Sequence, residues 1–311
     1  MEMNGGDFMF PFRGRLFRRL ELGSPGAILA TASSCDDNTI ATCSTDTKVL
    51  LWDLSSGKRI NCLQGHTAEV TTCCFGDELL ATGSRDGVVI LWKYKSGKRV
   101  SRISFHQGSI QAAVISPDGQ FLASAGDDGQ AVVYRIQSGE GAYICGSENR
   151  QVKGHEDAVN DVCFSADNCH FLTCSSDGSI QLWDTETGQN RLKIDTKHGK
   201  LINTRFTPNG KRAVTLSTSH VSVWDLTNGK LEWEMRDEEG RNYQALSVHP
   251  FQDLITLVAM DSTLTYQSLH EKERKIVKGT DHKGPILSCS FSPSGRIGMT
   301  GGIDGKTLVW M

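Results

Sequence analysis

A Trp or Tyr recurs at positions 52, 92, 134, 183, 224 and 310, each closing a short apolar run that follows a tight turn. The steps are 40, 42, 49, 41 and 86 residues, and the last interval holds two ordinary steps, with Gln267 standing where an aromatic would fall. A period near 40 residues carried from end to end describes seven similar units. One such unit is too small to bury a core alone, so the seven must pack on each other.

Glu69–Gly97, EVTTCCFGDELLATGSRDGVVILWKYKSG, shows what one unit contains. Apolar or alternating runs at 70–75, 79–82 and 88–92 have strand length and are separated by Gly/Asp turns. Arg85-Asp86-Gly87 supplies the positive-φ residue of a tight turn, and 99–103 can form a fourth strand. Each unit reads as a four-stranded antiparallel meander. Asp46, Asp86, Asp128, Asp177 and Asp304 each precede their aromatic by six residues, and four residues before them stand Thr42, Thr82, Ser124, Thr173 and Thr300. That parity fixes hydroxyl and aromatic on defined faces of adjacent strands. His66, His106, His155 and His282 lie 20 or 22 residues before their Asp, two of them after Gly.

These residues, with Trp52-Asp53, Trp183-Asp184 and Trp224-Asp225, resemble the WD40-repeat family over nearly the whole chain. The resemblance implies an all-β, seven-bladed β-propeller of four-stranded antiparallel sheets. It also implies hydrogen-bonded tetrads of His66, Thr82, Asp86 and Trp92 in blade 2, and of His155, Thr173, Asp177 and Trp183 in blade 4. Blade 7 has His282, Thr300, Asp304 and Trp310. Blade 3 substitutes Tyr134, and blade 1 lacks the His. Blade 5 keeps His198 and Trp224 with Val214 and Thr218 at the hydroxyl and Asp positions. Blade 6, roughly 241–276, keeps only Asp261.

The sequence ends just after the third strand of unit 7, which would leave a bare sheet edge. Residues 12–22, FRGRLFRRLEL, are strand-like and are expected to finish that sheet, which also is the family's usual closure. The organisation expected is a short extension over 1–11 and one propeller over 12–311.

Composition gives no reason to invoke another class. With 33 basic and 36 acidic residues the net charge is −3, which offers no general attraction to nucleic acid or an anionic membrane. Arg13, Arg15, Arg18 and Arg19 are better read as charges guarding an edge strand than as an RNA contact. The ten cysteines show no CxxC and sit mostly in apolar stretches, where a reduced Cys behaves as a small hydrophobe. A reducing compartment, cytoplasmic or nuclear, is expected.

A hydroxyl, His and Asp in one unit invite a hydrolase reading, but several copies recur where a catalyst needs one, and no GxSxG is present. Gly126–Gly129 and Gly301–Gly305 lack the GxxxxGK[ST] pattern and are turns. No paired ligand spacing points to a metal, and no cofactor or small-molecule substrate is expected. No enzyme is expected.

The function expected is a protein–protein interaction scaffold, a subunit of a larger complex. A reader of short peptides such as histone tails at the channel mouth, or an RNA-particle component, is the alternative. By resemblance the rim that docks peptides includes Arg85, Asp127 and Ser176, before each turn Asp, with Glu69, Ser109, Ala158, Lys200 and Asn242 after each His. This set lacks an aromatic cage for methyl-lysine. The tetrapeptides after Trp52, Trp92, Trp183 and Trp224 lack the WDxR motif of cullin-4 substrate receptors. The stretch 137–151 is longer than its counterparts and is expected to form a hairpin loop between third and fourth strands, with Tyr143 and Ile144 at a contact tip.

Overall fold

In a computed structural model the described residues are 16–21, 26–137, 143–144, 150–152, 154–269, 274–277 and 280–310. They form seven antiparallel sheets and no helix. From the inside outward, blade 1 is Ile28–Ser33, Thr39–Ser44, Val49–Asp53 and Arg59–Leu63. Blade 2 is Val70–Phe75, Leu79–Ser84, Val89–Lys93 and Lys98–Ile103. Blade 3 is Ile110–Ile115, Phe121–Gly126 and Ala131–Gln137, then an outer edge in two pieces, Tyr143–Ile144 and Arg150–Val152. Blade 4 is Val159–Phe164, His170–Ser175, Ser179–Asp184 and Asn190–Asp195. Blade 5 is Leu201–Phe206, Arg212–Ser217, His220–Asp225 and Leu231–Arg236. Blade 6 is Tyr243–Val248, Leu254–Ala259, Leu264–Ser268 and Arg274–Val277. Blade 7 is Ile286–Phe291, Gly298–Gly302 and Lys306–Trp310, finished by Leu16–Glu21.

The closing strand runs antiparallel to the third strand of blade 7, pairing Leu16 with Trp310 and Glu21 with Lys306. Residues 1–15 and 22, which carry the rest of the expected extension and closing strand, lie outside the described residues. Each inner strand touches the next, and that of blade 7 touches that of blade 1, so the ring closes.

The core is divided into wedges between neighbouring sheets. Leu51 and Val49 of blade 1 pack with Leu80, Ile90 and Trp92 of blade 2, while Ile40 and Trp52 pack with Met299 and Val309 of blade 7. Each such large side chain stabilises by roughly 1.5–3 kcal/mol when fully buried, and all of it depends on a neighbouring blade being present.

Polar groups lock the blades together beside the axis. Asp161 of blade 4 accepts from the Thr204 N–H at 3.0 Å and is ion-paired with Arg205. Asn203 then accepts from the Leu246 N–H at 3.2 Å, and Ser247 from the Phe291 N–H at 3.2 Å. Ser290 meets Thr31 at 3.0 Å, carrying the relay from blade 7 to blade 1.

Of the stretch 137–151 expected as a hairpin loop, only Gln137, Tyr143, Ile144, Arg150 and Gln151 are described. Tyr143 and Ile144 already pair with Gln137 and Ile136, and Arg150–Val152 pairs with Val133–Ala131. Residues 138–142 and 145–149 lie outside the described residues.

Candidate functional site

In blade 2 the Trp92 indole N–H donates to the Thr82 hydroxyl at 2.9 Å, and Thr82 meets His66 Nε2 at 2.9 Å. His66 Nδ1 lies 3.2 Å from Asp86. The carboxylate can only accept, so Nδ1 carries the proton and Nε2 accepts from the threonine, which satisfies the indole N–H, the hydroxyl and both imidazole nitrogens of this relay. Asp86 also accepts from the N–H groups of Thr67 at 2.8 Å and Val88 at 3.0 Å, tying its own turn to the loop that enters the blade.

The same relay joins Trp183, Thr173, His155 and Asp177 at 2.9, 2.7 and 3.0 Å. It joins Trp310, Thr300, His282 and Asp304 at 3.1, 2.9 and 3.1 Å. The reason is register. In each blade the aromatic stands two residues beyond the cross-strand partner of the hydroxyl, on the same face: Thr82 opposes Ile90, Thr173 opposes Gln181 and Thr300 opposes Leu308. Gly154 precedes His155 because a Cβ there would stand 2.8 Å from the Trp183 ring.

Blade 3 keeps His106, Ser124 and Asp128 in contact at 2.8 and 2.9 Å, but the buried Tyr134 hydroxyl makes no hydrogen bond. In blade 1 Trp52 donates to Thr42 at 3.0 Å. Without a His, one buried oxygen of Asp46 has only Lys48, at 3.7 Å.

Blade 5 requires a correction. Its hydroxyl is Thr215, not position 214, and Trp224 donates to it at 3.0 Å. The turn after this strand is one residue shorter, so Thr215 opposes Ser222 and Trp224 still falls two beyond. Ser219, not Thr218, occupies the Asp place, its N–H bonded to Ser217 Oγ as that of Asp86 is to Ser84. His198 leaves the relay altogether, stacking on His220 with centroids 4.4 Å apart and reaching Glu234 at 3.5 Å. In blade 6 Asp261 bonds the Thr263 N–H at 3.0 Å, Leu257 opposes Thr265, and buried Gln267 occupies the aromatic place.

Electrostatics makes these relays acid-sensitive. Burial pushes His66, His155 and His282 below the ordinary imidazole value of 6.5, outweighing the attraction of their Asp partners. Burial opposes ionisation of Asp177, yet the Glu156 N–H and the Ser179 hydroxyl and N–H bring its carboxyl down to about 2. Both shifts make the unfolded chain bind more protons than the folded one. Stability is therefore full above pH 6.5, falls as the pH drops through the histidine range, and falls again between 3.8 and about 2. The melting temperature should hold level from neutral to mildly alkaline pH and decline below 6.5. A melting temperature that rises on mild acidification contradicts this account.

The relays also position a face. Their Asp turns and the loops entering each inner strand meet at one end of the ring, joined by backbone bonds. The Arg85, Asp127 and Ser176 N–H groups donate to the carbonyls of Glu69, Ser109 and Ala158 at 2.9, 3.0 and 2.9 Å. Met260 and Ile303 donate likewise to Asn242 at 3.2 Å and Pro285 at 2.9 Å. Arg85 and Glu69 form an ion pair at 2.9 Å, and Lys200 and Asn242 are exposed. Met260, Ile303 and Thr45, whose N–H donates to the Ala27 carbonyl at 3.1 Å, occupy the same pre-Asp position as Arg85 but were not among the rim residues expected from the sequence.

A bulge at the second residue of every inner strand turns Leu29, Thr71, Gln111, Asn160, Ile202, Gln244 and Leu287 toward the channel mouth at this end. Tyr143 and Ile144 belong to the circumference of blade 3 instead, and their side chains lie outside the described residues.

Comparison with known proteins agrees with this geometry. A family model described as "WD domain, G-beta repeat" matches residues 17–53, 141–184 and 274–311, and one described as "Vps42 beta-propeller" matches 58–145. The chain is a seven-bladed β-propeller carrying WD40 repeats.

Similar proteins include Periodic tryptophan protein 2 of Arabidopsis thaliana, 25% identical over 66% of this chain and 22% of the relative. Cross-pathway control WD-repeat protein 2 of Flammulina velutipes is 27% identical over 66% of this chain and 65% of the relative. Pre-mRNA-processing factor 19 homolog 2 of Arabidopsis thaliana is 26% identical over 60% and 36%. The chain thus spans under two thirds of each relative's length.

Proposed function

We propose that the protein is a noncatalytic docking ring, a subunit that holds other proteins together in a nuclear or cytoplasmic complex. The observation that carries this reading is where the reactive-looking groups sit. His66 and His282 are 7% and 6% exposed, and their hydroxyl partners Thr82 and Thr300 are 0% and 2% exposed. Each is consumed by its own relay, so a substrate could reach neither nucleophile nor base. What is offered to solvent is a rigid rim of varied side chains on short, bonded turns. Free buried Cys43, Cys163 and Cys174 support a reducing compartment.

The relatives' names span pre-mRNA processing and cross-pathway control, so they support a shared docking architecture and favour no single pathway. The test is affinity purification of the full chain followed by size-exclusion chromatography. The protein should co-elute with stoichiometric partners far above its own 34.1 kDa. Elution from extract as a lone monomer would remove the proposal.

A further inference from the structure

The relay of polar contacts that runs from blade 4 round to blade 1 is continued into blade 2 by sulfur. The Cys43 thiol, on the second strand of blade 1, donates to the Thr72 carbonyl of blade 2 at 3.9 Å. On that inner strand of blade 2, alternation sends Thr72 and Cys74 toward blade 3, where Thr72 Oγ1 accepts from the Ala113 N–H at 3.3 Å. Val70, Cys73 and Phe75 turn the other way and join Cys43 in the wedge between blades 1 and 2. The Cys43 and Cys73 side chains meet there directly.

Among the described residues no other junction pairs two thiols in these places. Cys174 stands in blade 4 where Cys43 stands in blade 1, but Thr204 holds the place of Cys73 in blade 5. Cys289 stands in blade 7 where Cys73 stands in blade 2, but Val258 holds the place of Cys43 in blade 6. The two sulfurs at the first junction differ in access. Cys43 is 0% exposed, whereas Cys73 is partly exposed and lines the central channel, a space of about 800 Å³. A small hydrophilic oxidant in the channel therefore reaches Cys73 first. Burial pushes the Cys43 thiol well above its ordinary value of 9.0, so Cys43 does not supply the initial thiolate.

We infer that Cys73 and Cys43 are a hydroperoxide-responsive pair whose oxidised state is a disulfide joining blades 1 and 2. The Cys73 sulfur attacks the outer oxygen of the hydroperoxide. An S–O bond forms, the O–O bond breaks, and the leaving oxygen departs with the thiol proton as water or an alcohol. Cys73 is then a sulfenic acid and the peroxide has been reduced. Cys43 attacks that sulfur, so an S–S bond forms and the S–O bond breaks, and the departing hydroxide removes the Cys43 proton as water. The new bond ties positions 30 residues apart across one wedge of the ring, which restrains the unfolded chain. Cellular thiols reverse it, as befits a redox-sensing disulfide in a reducing compartment.

The test treats the full chain with hydrogen peroxide, blocks the remaining thiols and maps the products by peptide mass spectrometry without reductant. The wild type should lose the mass of two hydrogens, with fragment spectra placing the bond between Cys43 and Cys73. Its melting temperature should rise by roughly 5 °C and return on adding dithiothreitol. Cys43→Ala should stop at the Cys73 sulfenic acid, which dimedone traps, and Cys73→Ala should leave Cys43 reduced. Cys74→Ala, adjacent in sequence but facing blade 3, should form the bond as the wild type does.

Melting each variant in its reduced form separates a lost bond from a lost fold, and should Cys73→Ala not fold, the wild-type map decides alone. A Cys73–Cys74 bond, oxidation of Cys43 in Cys73→Ala, or a Cys73 left reduced while exposed Cys35 and Cys169 oxidise would overturn the inference. Advance of wild-type Cys73 to sulfinic acid with no bond to Cys43 would overturn it as well.

Discussion

A chain lacking residues 1–21 is expected to lose its cooperative melting transition. Leu16–Glu21 supplies the whole outer strand of blade 7, with pairings from Leu16–Trp310 to Glu21–Lys306. Its loss exposes the Lys306–Trp310 edge and frees the one sheet made from both ends of the chain. The wedge that Met299 and Val309 share with Ile40 and Trp52 then opens. Five pairings at even about 1 kcal/mol each reach the lower end of the stability of a typical domain, about 5–15 kcal/mol. Because every wedge needs two blades, an opened ring has no intact remainder to melt separately. Differential scanning calorimetry tests this, and adding a synthetic peptide of residues 12–22 should restore a transition. Unchanged melting after the deletion would mean that the ring closes by some other route.

The second large effect concerns the shared hydroxyl of each relay. Thr82→Val, Thr173→Val and Thr300→Val keep the side-chain shape but strand two partners, the indole N–H and the imidazole Nε2. An unsatisfied buried polar group costs about 1–3 kcal/mol, so each variant, with two such groups, should lose roughly 2–6 kcal/mol. Thr215→Val strands only the Trp224 N–H, since His198 is occupied elsewhere, and should lose about half as much. Urea denaturation of the four variants measures the difference. Equal losses in blades 2 and 5 would show that the histidine adds nothing to the relay.

The sequence made the repeat legible because each blade is local: turn Asp, hydroxyl and aromatic lie within ten residues on paired strands, and parity alone sets their faces. Blade 5 escaped for the same reason. Counting back a fixed distance from Trp224 reaches position 214, whereas the structure measures from the cross-strand partner, and a turn one residue shorter moves the hydroxyl to Thr215. His198 failed as a relay member because it enters too close to Leu201. It begins three residues before its strand, where His66, His155 and His282 stand four before theirs. That offset was available in the sequence once strand starts were fixed.

Contacts between blades left no such trace. Asp161 holding Arg205 and the Thr204 N–H joins residues 43 and 44 apart, with no local pattern to announce them. The bulges that turn Leu29 and Leu287 to the mouth are likewise invisible to an alternation count, since a bulge breaks the alternation. Met260 and Ile303 were within reach, since the positional rule that picked Arg85 applies to them unchanged.

In the docking ring proposed above the buried relays build the scaffold and the surface holds the partners, and one comparison separates the two roles. Partner capture from extract and melting temperature are measured together for Thr300→Val and for Ile303→Asp. Thr300→Val should melt at lower temperature yet capture the same partners while folded, and Ile303→Asp should melt as the wild type but lose them. Partners lost by a folded Thr300→Val protein and retained by Ile303→Asp would place function in the buried relay and contradict it.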